Sequence, residues 1–463
     1  MSHNNLPPPV TALNRDQFPE PIPSSGTEHL NASSSGKGRP GSKTLGFTRK
    51  TLLVVCVGIL LLGALLGGAI GGTVGRHGQP EPSMSQSSAE SSSTPISTHP
   101  GIILPDSKLA AVRHGNGVFK CTSVFFQATN ASLMYTTNCL RKVWSKPRRI
   151  MADPDLQLNA RPGTYIAAAY QEANNVLWVI YIDKNNTLKS VSATDLQEWE
   201  DSGLDLADWK VANLSLSSHK SAPSSQISAW SRVWNSGRDD ELLVAFVNDQ
   251  LQLLLWNQTD GSATTMPDFD YSLAKSTALS VVPGFVDTNL TVAESVWLLA
   301  LDPSGYLRLS YYDPARVASI TDASDRSVES WFSEPAQIYG PSDVGSGLRP
   351  LQLPDPASQI FATASKSYTV DSQLVVTLTN LEPNGRITAY YSMDGSMIWM
   401  SGANPLSLPG PNLTVTTIAA AFESPERMQR IFTLSKQSIY EFDSNIQHQW
   451  DGSWPFVGLV FGH

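Results

Sequence analysis

Charge and cysteine are both scarce in this chain of 463 residues. Lys, Arg, Asp and Glu together make up 16% of it, and it holds 3 Cys and 8 scattered His. No zinc-type His/Cys spacing, phosphate-binding Walker loop, dinucleotide fingerprint or G-x-S-x-G elbow is present, so the expectation is no metal, no cofactor and no catalytic residue of those types. With a net charge of −9 and no basic run beyond the short Lys146-Pro-Arg-Arg149, a nucleic-acid partner is not expected. Long amphipathic helical patterns are missing as well.

One long uncharged run stands out. Thr51–Gly75 (TLLVVCVGILLLGALLGGAIGGTVG) holds no charge and lies between Arg49-Lys50 and Arg76-His77. At about 1.5 Å rise per residue, a helix of this length spans a hydrocarbon core of roughly 30 Å. It starts too deep for a cleaved signal peptide, which occupies roughly the first 15–30 residues, so it reads as a signal anchor. Arg15, Lys37, Arg39, Lys43, Arg49 and Lys50 outweigh Asp16, Glu20 and Glu28 on its N-terminal side. The positive-inside rule then gives a single-pass type II protein. Its C-terminal part faces the lumen or the cell exterior, at the plasma membrane or in the secretory pathway. Gly63/Gly67/Gly71 and Gly68/Gly72 have the small-xxx-small spacing that supports self-association of helices in lipid; simple tolerance of glycine in membrane spans is the alternative.

Two features fit that topology. Sequons begin at Asn130, Asn185, Asn213, Asn257, Asn289 and Asn412, all beyond the span, and are expected N-glycosylation sites. Cys56 lies in the span, leaving Cys121 and Cys139 in runs that read as adjacent strands. An oxidising compartment would let them pair as a disulfide; the alternative is two buried thiols.

Composition divides the chain further. Residues 1–48 are poor in apolar residues and rich in Pro, Ser, Gly and Asn, the signature of a disordered tail, here cytosolic. Residues 49–76 are the transmembrane segment, and 77–105 form a Ser/Thr/Pro-rich stalk. Residues 106–463 hold all 12 Trp of the chain, in short apolar or alternating runs separated by Gly, Pro, Asn and Asp, as in all-β folds.

Those runs repeat. Ile166-Ala-Ala-Ala-Tyr170 followed by Trp178-Val-Ile-Tyr181 matches Ile418-Ala-Ala-Ala-Phe422 followed by Arg430-Ile-Phe-Thr433. Looser pairs begin at Ala111/Ser123, Ile227/Leu243, Ala278/Trp297 and Ile360/Leu374, and a third strand follows each. Trp144, Trp199, Trp331, Trp399 and Trp450 often end the unit. Six units, each with three clear strands and room for a fourth, make an all-β, six-bladed β-propeller ectodomain, with five or seven blades as the alternatives because units three to five are irregular. The closing run Phe456–Phe461 is expected to pair with the first blade and seal the ring.

At these residues the chain resembles the fungal fucose-specific lectins typified by the Aleuria aurantia lectin. The resemblance rests on the periodic pattern over about residues 106–463. It implies sugar pockets between blades, each needing Arg on the second strand, Glu on the third and aromatic rings nearby. The Arg position is read as Ser123, Trp178, Leu243, Trp297 and Leu374 in the first five units, and the Glu position as Met134, Lys189, Gln252, Arg308 and Thr388. The family's polar pair maps only onto Arg430 and Glu441 in the sixth unit, with Trp450 and Trp454 following. An ordinary cross-strand ion pair is the plain alternative.

The resemblance implies a membrane-anchored lectin for fucosylated or other glycans, with few intact sites or one. A non-catalytic protein-interaction propeller is the alternative. A propeller glycosidase is third: Ser392-Met-Asp-Gly-Ser-Met-Ile-Trp399 is a degenerate Asp-box-like turn without a second copy, and no arginine cluster or assignable carboxylate pair accompanies it. No enzymatic activity is expected.

Overall fold

The computed structural model describes residues 103–461, apart from connecting segments such as 195–207, 313–330 and 402–413. The tail, the apolar run 51–75 and the stalk lie outside the described residues. Among the described residues no helix is long and apolar enough to cross a membrane.

The described residues build six sheets, arranged in chain order and antiparallel throughout except for one parallel pair in the fifth. Blade 1 holds β1 (Ala110–His114), β2 (Cys121–Gln127), β3 (Leu133–Cys139) and β4 (Arg148–Arg149). Blade 2 holds β5 (Ile166–Gln171), β6 (Val176–Ile182), β7 (Leu188–Thr194) and β8 (Asp208–Val211). Blade 3 holds β9 (Ser228–Arg232), β10 (Glu241–Val247), β11 (Leu253–Asn257) and β12 (Ser262–Thr265). Blade 4 holds β13 (Leu279–Val286), β14 (Ala293–Leu301), β15 (Leu307–Tyr312) and β16 (Trp331–Pro335).

Blade 5 is extended. The hairpin of β17 (Gln337–Tyr339) and β18 (Leu348–Pro350) joins β22 (Ile398–Ser401) in parallel, outside β19 (Gln359–Lys366), β20 (Leu374–Leu381) and β21 (Ile387–Met393). Blade 6 holds β23 (Thr417–Glu423), β24 (Met428–Ser435), β25 (Ser438–Asn445) and β26 (Phe456–Phe461). The first strand of each blade neighbours the first strands of the blades on either side, β23 meeting β1, so the ring closes.

Burial explains the count. Each sheet is apolar on both faces, and the buried side chains fall into six clusters, one between each pair of neighbouring blades. Leu177, Val179 and Tyr181 of β6 pack toward blade 1, while Trp178, Ile180 and Ile182 pack toward blade 3. Burying such a Leu, Val or Ile contributes about 1.5–3 kcal/mol, and a lone four-stranded sheet has nothing to cover its second face.

The hairpin between second and third strands repeats with the blades. Ala131, Asn186, Leu251, Gly305 and Gly385 adopt positive φ (62°, 59°, 63°, 80° and 83°) at equivalent places in blades 1 to 5. In three of them an acid or amide caps the turn. Asp183, Asn248 and Asp302 each accept two backbone N–H bonds of 2.8–3.0 Å through Oδ1. Blade 6 closes its hairpin with a tighter two-residue turn, Lys436 and Gln437, both at positive φ (47° and 66°).

The ring is not sealed as the sequence suggests. β26 pairs with β25 as the outer strand of its own blade, so among the described residues blades 6 and 1 meet through side chains and inner-strand contacts. Once β1 and β23 close the ring side by side, the last segment has its nearest free backbone partner within its own sheet. Within blade 1, Cys121 and Cys139 are directly opposed on β2 and β3 and form a disulfide with an S–S distance of 1.99 Å.

Candidate functional site

Strand register places Arg430 and Glu441 side by side. On blade 6, Arg430 of β24 lies opposite Asp443 and Glu441 of β25 lies opposite Phe432. Residues of one parity share a sheet face, so Arg430, Phe432, Glu441 and Asp443 all face blade 1. Arg430 and Glu441 are thus diagonal neighbours, and Arg430 Nη1 lies 2.8 Å from Glu441 Oε1. Both side chains are buried, at 4% and 3% exposure.

A third member comes from the other end of the chain. Trp144, in the segment after β3, donates its indole N–H to Glu441 Oε2 at 2.9 Å. Its ring stands edge-on to Phe432, with centroids 5.6 Å apart at 89°. Each carboxylate oxygen of Glu441 therefore takes a donor from a different blade. Trp144 is the partly exposed member of the three.

The sequence reading places the aromatic partners differently. Trp450 lies outside the described residues. Trp454 is buried in the cluster between blades 5 and 6, with Ile431 and Phe442, on the opposite face of the sheet from Arg430. Trp144 was visible only as a residue ending the first unit. Its bond to a residue 297 positions away has no local signal.

Register also corrects the equivalent positions in the other blades. Their second hairpins are one residue longer than that of blade 6, which moves the third-strand position. The residues matching Arg430/Glu441 are Ser123/Tyr135, Trp178/Ser190, Leu243/Leu255, Trp297/Leu309 and Thr377/Ala389. Leu374 stands three residues before Thr377, and Met134, Lys189, Arg308 and Thr388 each fall on the wrong face. Ser123 is occupied by a chain of short contacts, 2.7 Å to His114 Nε2 and 2.7 Å to Thr137 Oγ1. Trp178 donates to Gln171, which donates at 2.7 Å to Gln258 of blade 3. Among these six equivalent positions the Arg–Glu pair occurs once.

Burial holds the His114 imidazole down to about 3, so it is neutral across the physiological range. A cavity of about 370 Å³ beside Asn186, Lys220, Ser221 and Asp249 lies by the β6–β7 and β10–β11 hairpins, away from Arg430. Among the described residues no group of three or more His, Cys, Asp or Glu side chains is placed to hold a metal ion.

Solved structures resemble the propeller as a whole. AofleA from Arthrobotrys oligospora matches with a TM-score of 0.54 at 16% identity, over 79% of this chain and 89% of that one. The fungal lectin from Aleuria aurantia, a six-bladed β-propeller with a fucose recognition mode, matches at 0.52 and 13% identity, over 78% and 97%. The SapL1 lectin, solved with α-methyl fucoside, matches at 0.50 and 17% identity, over 78% and 98%.

The chain shares the fold of these propellers.

Neither a known sequence family nor any curated protein sequence matches it. At such identities the fold is common ground and the pockets have to be argued from this chain's own residues.

Of the sequons, Asn130 and Asn185 are exposed at equivalent places in the second hairpins of blades 1 and 2, and Asn257 is partly exposed at the end of β11. Asn213, Asn289 and Asn412 lie outside the described residues, as do Asp394 and Gly395 of the Asp-box-like turn; Trp399 is buried in β22.

Proposed function

We propose that this chain is a non-catalytic carbohydrate-binding propeller, held at a membrane by residues 51–75, with one sugar site at Arg430, Glu441 and Trp144. The observation that carries this reading is the bond network in which Glu441 engages Arg430 on one oxygen and Trp144 on the other. Sugars offer vicinal hydroxyls that donate to a carboxylate, ring oxygens that accept from a guanidinium, and an apolar face for an indole. All three partners converge here. Fucosylated glycans are the proposed ligand class, since two of the similar folds are lectins that carry fucose in their descriptions.

The geometry also predicts weakness. Arg430 Nη1 and Glu441 Oε1 are already paired, and the sugar must take over Trp144's place on Glu441 Oε2. One hydrogen bond is exchanged for another, so a single site binds loosely and useful avidity comes from many copies on one surface. The basic N-terminal flank and the sequons support a type II topology with the propeller outside the cytosol and the expected glycans at Asn130, Asn185, Asn213, Asn257, Asn289 and Asn412.

A second reading has its own observation. Near-complete burial of the Arg430–Glu441 pair also suits a structural ion pair in a propeller that binds proteins. A glycan array with the full-length chain in detergent separates the two. Selective fucoside binding, lost in Arg430→Ala/Glu441→Ala, supports the sugar site. Absence of glycan binding at millimolar fucose would sink it, and release of free sugar from a fluorogenic glycoside would argue for an enzyme. Protease added to intact cells should remove the propeller from the surface pool; if it is spared there, the orientation is wrong.

A further inference from the structure

Charge is divided unevenly around the ring. From residue 107 to residue 152, the stretch that builds blade 1, the chain holds eight Lys or Arg and no Asp or Glu. From residue 153 to the C-terminus it holds 17 Lys or Arg against 35 Asp or Glu. A surface balanced for solubility alone intersperses both signs, whereas a block of one sign makes a local field that draws the opposite charge. Five of the eight bases, Arg141, Lys142, Lys146, Arg148 and Arg149, fall within nine residues around Trp144, the residue that completes the Arg430–Glu441 network. Arg141 and Lys142 lie outside the described residues.

Placement ties this block to the sugar site. Ser145 is held against β3 by its amide on the Thr137 carbonyl at 2.8 Å and by the Thr137 amide on its Oγ at 3.0 Å, so the chain after Trp144 follows the outer edge of blade 1. Arg149 lies opposite Met134, and opposed residues share a face. Met134 packs in the cluster between blades 6 and 1, which puts Arg149 on the side of blade 1 that faces the seam. Lys146 and Arg149 are exposed, and among the described residues neither has an ion-pair partner.

The site opens toward the same edge. Gly458 of β26 lies directly opposite Glu441 and shares its face. A Cβ built on Gly458 meets nothing within 4 Å. The outer neighbour of the carboxylate is therefore open space, where any other residue would put a side chain. A sugar on Glu441 leaves over Gly458, and whatever it is attached to reaches the edge that carries Lys146 and Arg149.

We propose that the site selects acidic fucosylated glycans, with the fucose on Arg430, Glu441 and Trp144 and an attached sulfate or carboxylate on Lys146 and Arg149. The proposal rests on the sugar-site reading and adds the charge of the ligand to it. A guanidinium meets such an anion through parallel hydrogen bonds, and an ammonium meets it as a point charge.

Titration of the full-length chain in detergent with a fucosylated trisaccharide and with its sulfated counterpart tests this. Two exposed charge contacts add little each, so the sulfated ligand should bind about 3- to 30-fold tighter at low salt. The preference should shrink as salt rises from about 0.05 to about 0.5 M, because screening removes it. Lys146→Gln/Arg149→Gln should abolish the preference and leave binding of the neutral trisaccharide unchanged. Gly458→Phe fills the exit and should weaken both ligands. Equal affinity for the two ligands would overturn the charge selectivity and leave the sugar site standing, and unchanged binding in Gly458→Phe would overturn the exit route. Sulfated-ligand binding that survives Arg430→Ala/Glu441→Ala, or an unfucosylated sulfated glycan bound as tightly, would show the basic edge acting apart from the site and overturn the proposal. No binding of either trisaccharide would overturn the sugar site itself and this proposal with it.

Discussion

Replacing Arg430 and Glu441 separately and together gives opposite expectations for stability. The pair is 4% and 3% exposed with an N···O distance of 2.8 Å. Arg430→Leu alone leaves a buried carboxylate with Trp144 as one remaining donor, and breaking a buried pair in this way costs about 3–5 kcal/mol. Arg430→Leu/Glu441→Leu removes both charges. Blade 3 already holds that arrangement, with Leu243 and Leu255 at the equivalent positions, buried at 2% and 5% exposure. Apolar replacement of a whole buried pair is typically neutral or stabilising by about 1–4 kcal/mol. The indole N–H of Trp144 loses its acceptor, but that side chain is partly exposed and water can serve in its place. Urea unfolding followed by tryptophan fluorescence should therefore show a lower midpoint for the single variant and an unchanged or raised midpoint for the double one, with equal slopes. Fucoside binding should vanish in both. A double variant as unstable as the single would refute the idea that the pair is kept at a cost to stability, and retained fucoside binding would refute its role in recognition.

Three further outcomes follow from placement. Trp454→Ala, in the cluster between blades 5 and 6, should cost about 3–5 kcal/mol in unfolding while leaving fucoside affinity of the folded fraction unchanged; Trp144→Phe should do the reverse, and swapped effects would contradict the assigned faces. His114 stays neutral to about pH 3 in the fold but titrates near 6.5 when unfolded, so the unfolded chain gains a proton first as pH falls. Its contribution is whole above about 6.5 and is lost at roughly 1.4 kcal/mol per pH unit down to about 3, so a pH–stability curve for His114→Gln should have a shallower acid limb; parallel limbs would count against this. Cys121→Ser/Cys139→Ser opens a loop with a sequence separation of 18 and should lower unfolding free energy by about 3 kcal/mol, and dithiothreitol should do the same to the native chain but not to the variant.

The blades were readable because two strands of each are dominated by apolar and small residues on both faces, as in Ile166-Ala-Ala-Ala-Tyr170 and Trp178-Val-Ile-Tyr181. The fourth strands were not, because outer strands such as Arg148-Arg149 and Ser262-Ala-Thr-Thr265 have only one packed face and little apolar content. The β17–β18 hairpin was missed for the same reason: Leu348-Arg-Pro350 is exposed throughout and looks like a loop. Spacing found Arg430 and Glu441 because both lie in one hairpin. It misplaced their counterparts by one residue, since a turn of Lys436-Gln437 and a turn such as Asp183–Thr187 differ in length by an amount that no hydrophobic pattern records. Trp144 and Trp454 show the remaining limit. A tryptophan after a third strand can fall on either face of a blade or reach the next one, and that is settled only when the ring closes.

That closure gives the site a physical consequence. Successive blades are joined by chain at five of the interfaces; between blade 6 and blade 1 there is no such link, because each sheet is built from its own end of the sequence. The seam is held by one apolar cluster, by a bond of 3.4 Å from the Leu109 amide to Thr417 Oγ1, and by Trp144 on Glu441 at 2.9 Å. A ligand gripped by Arg430, Glu441 and Trp144 would touch both blades and staple them. Binding to the closed form alone stabilises it by RT ln(1 + [L]/Kd), about 2.7 kcal/mol at a concentration of 100 Kd. Amides of β1 and β23 that exchange through opening of the seam should then slow by about 100-fold in α-methyl fucoside, while those of β9 and β10, on the far side of the ring, change little. Uniform slowing around the ring would mean that the seam does not open first. No slowing at a saturating concentration would mean that the ligand does not bridge the two blades.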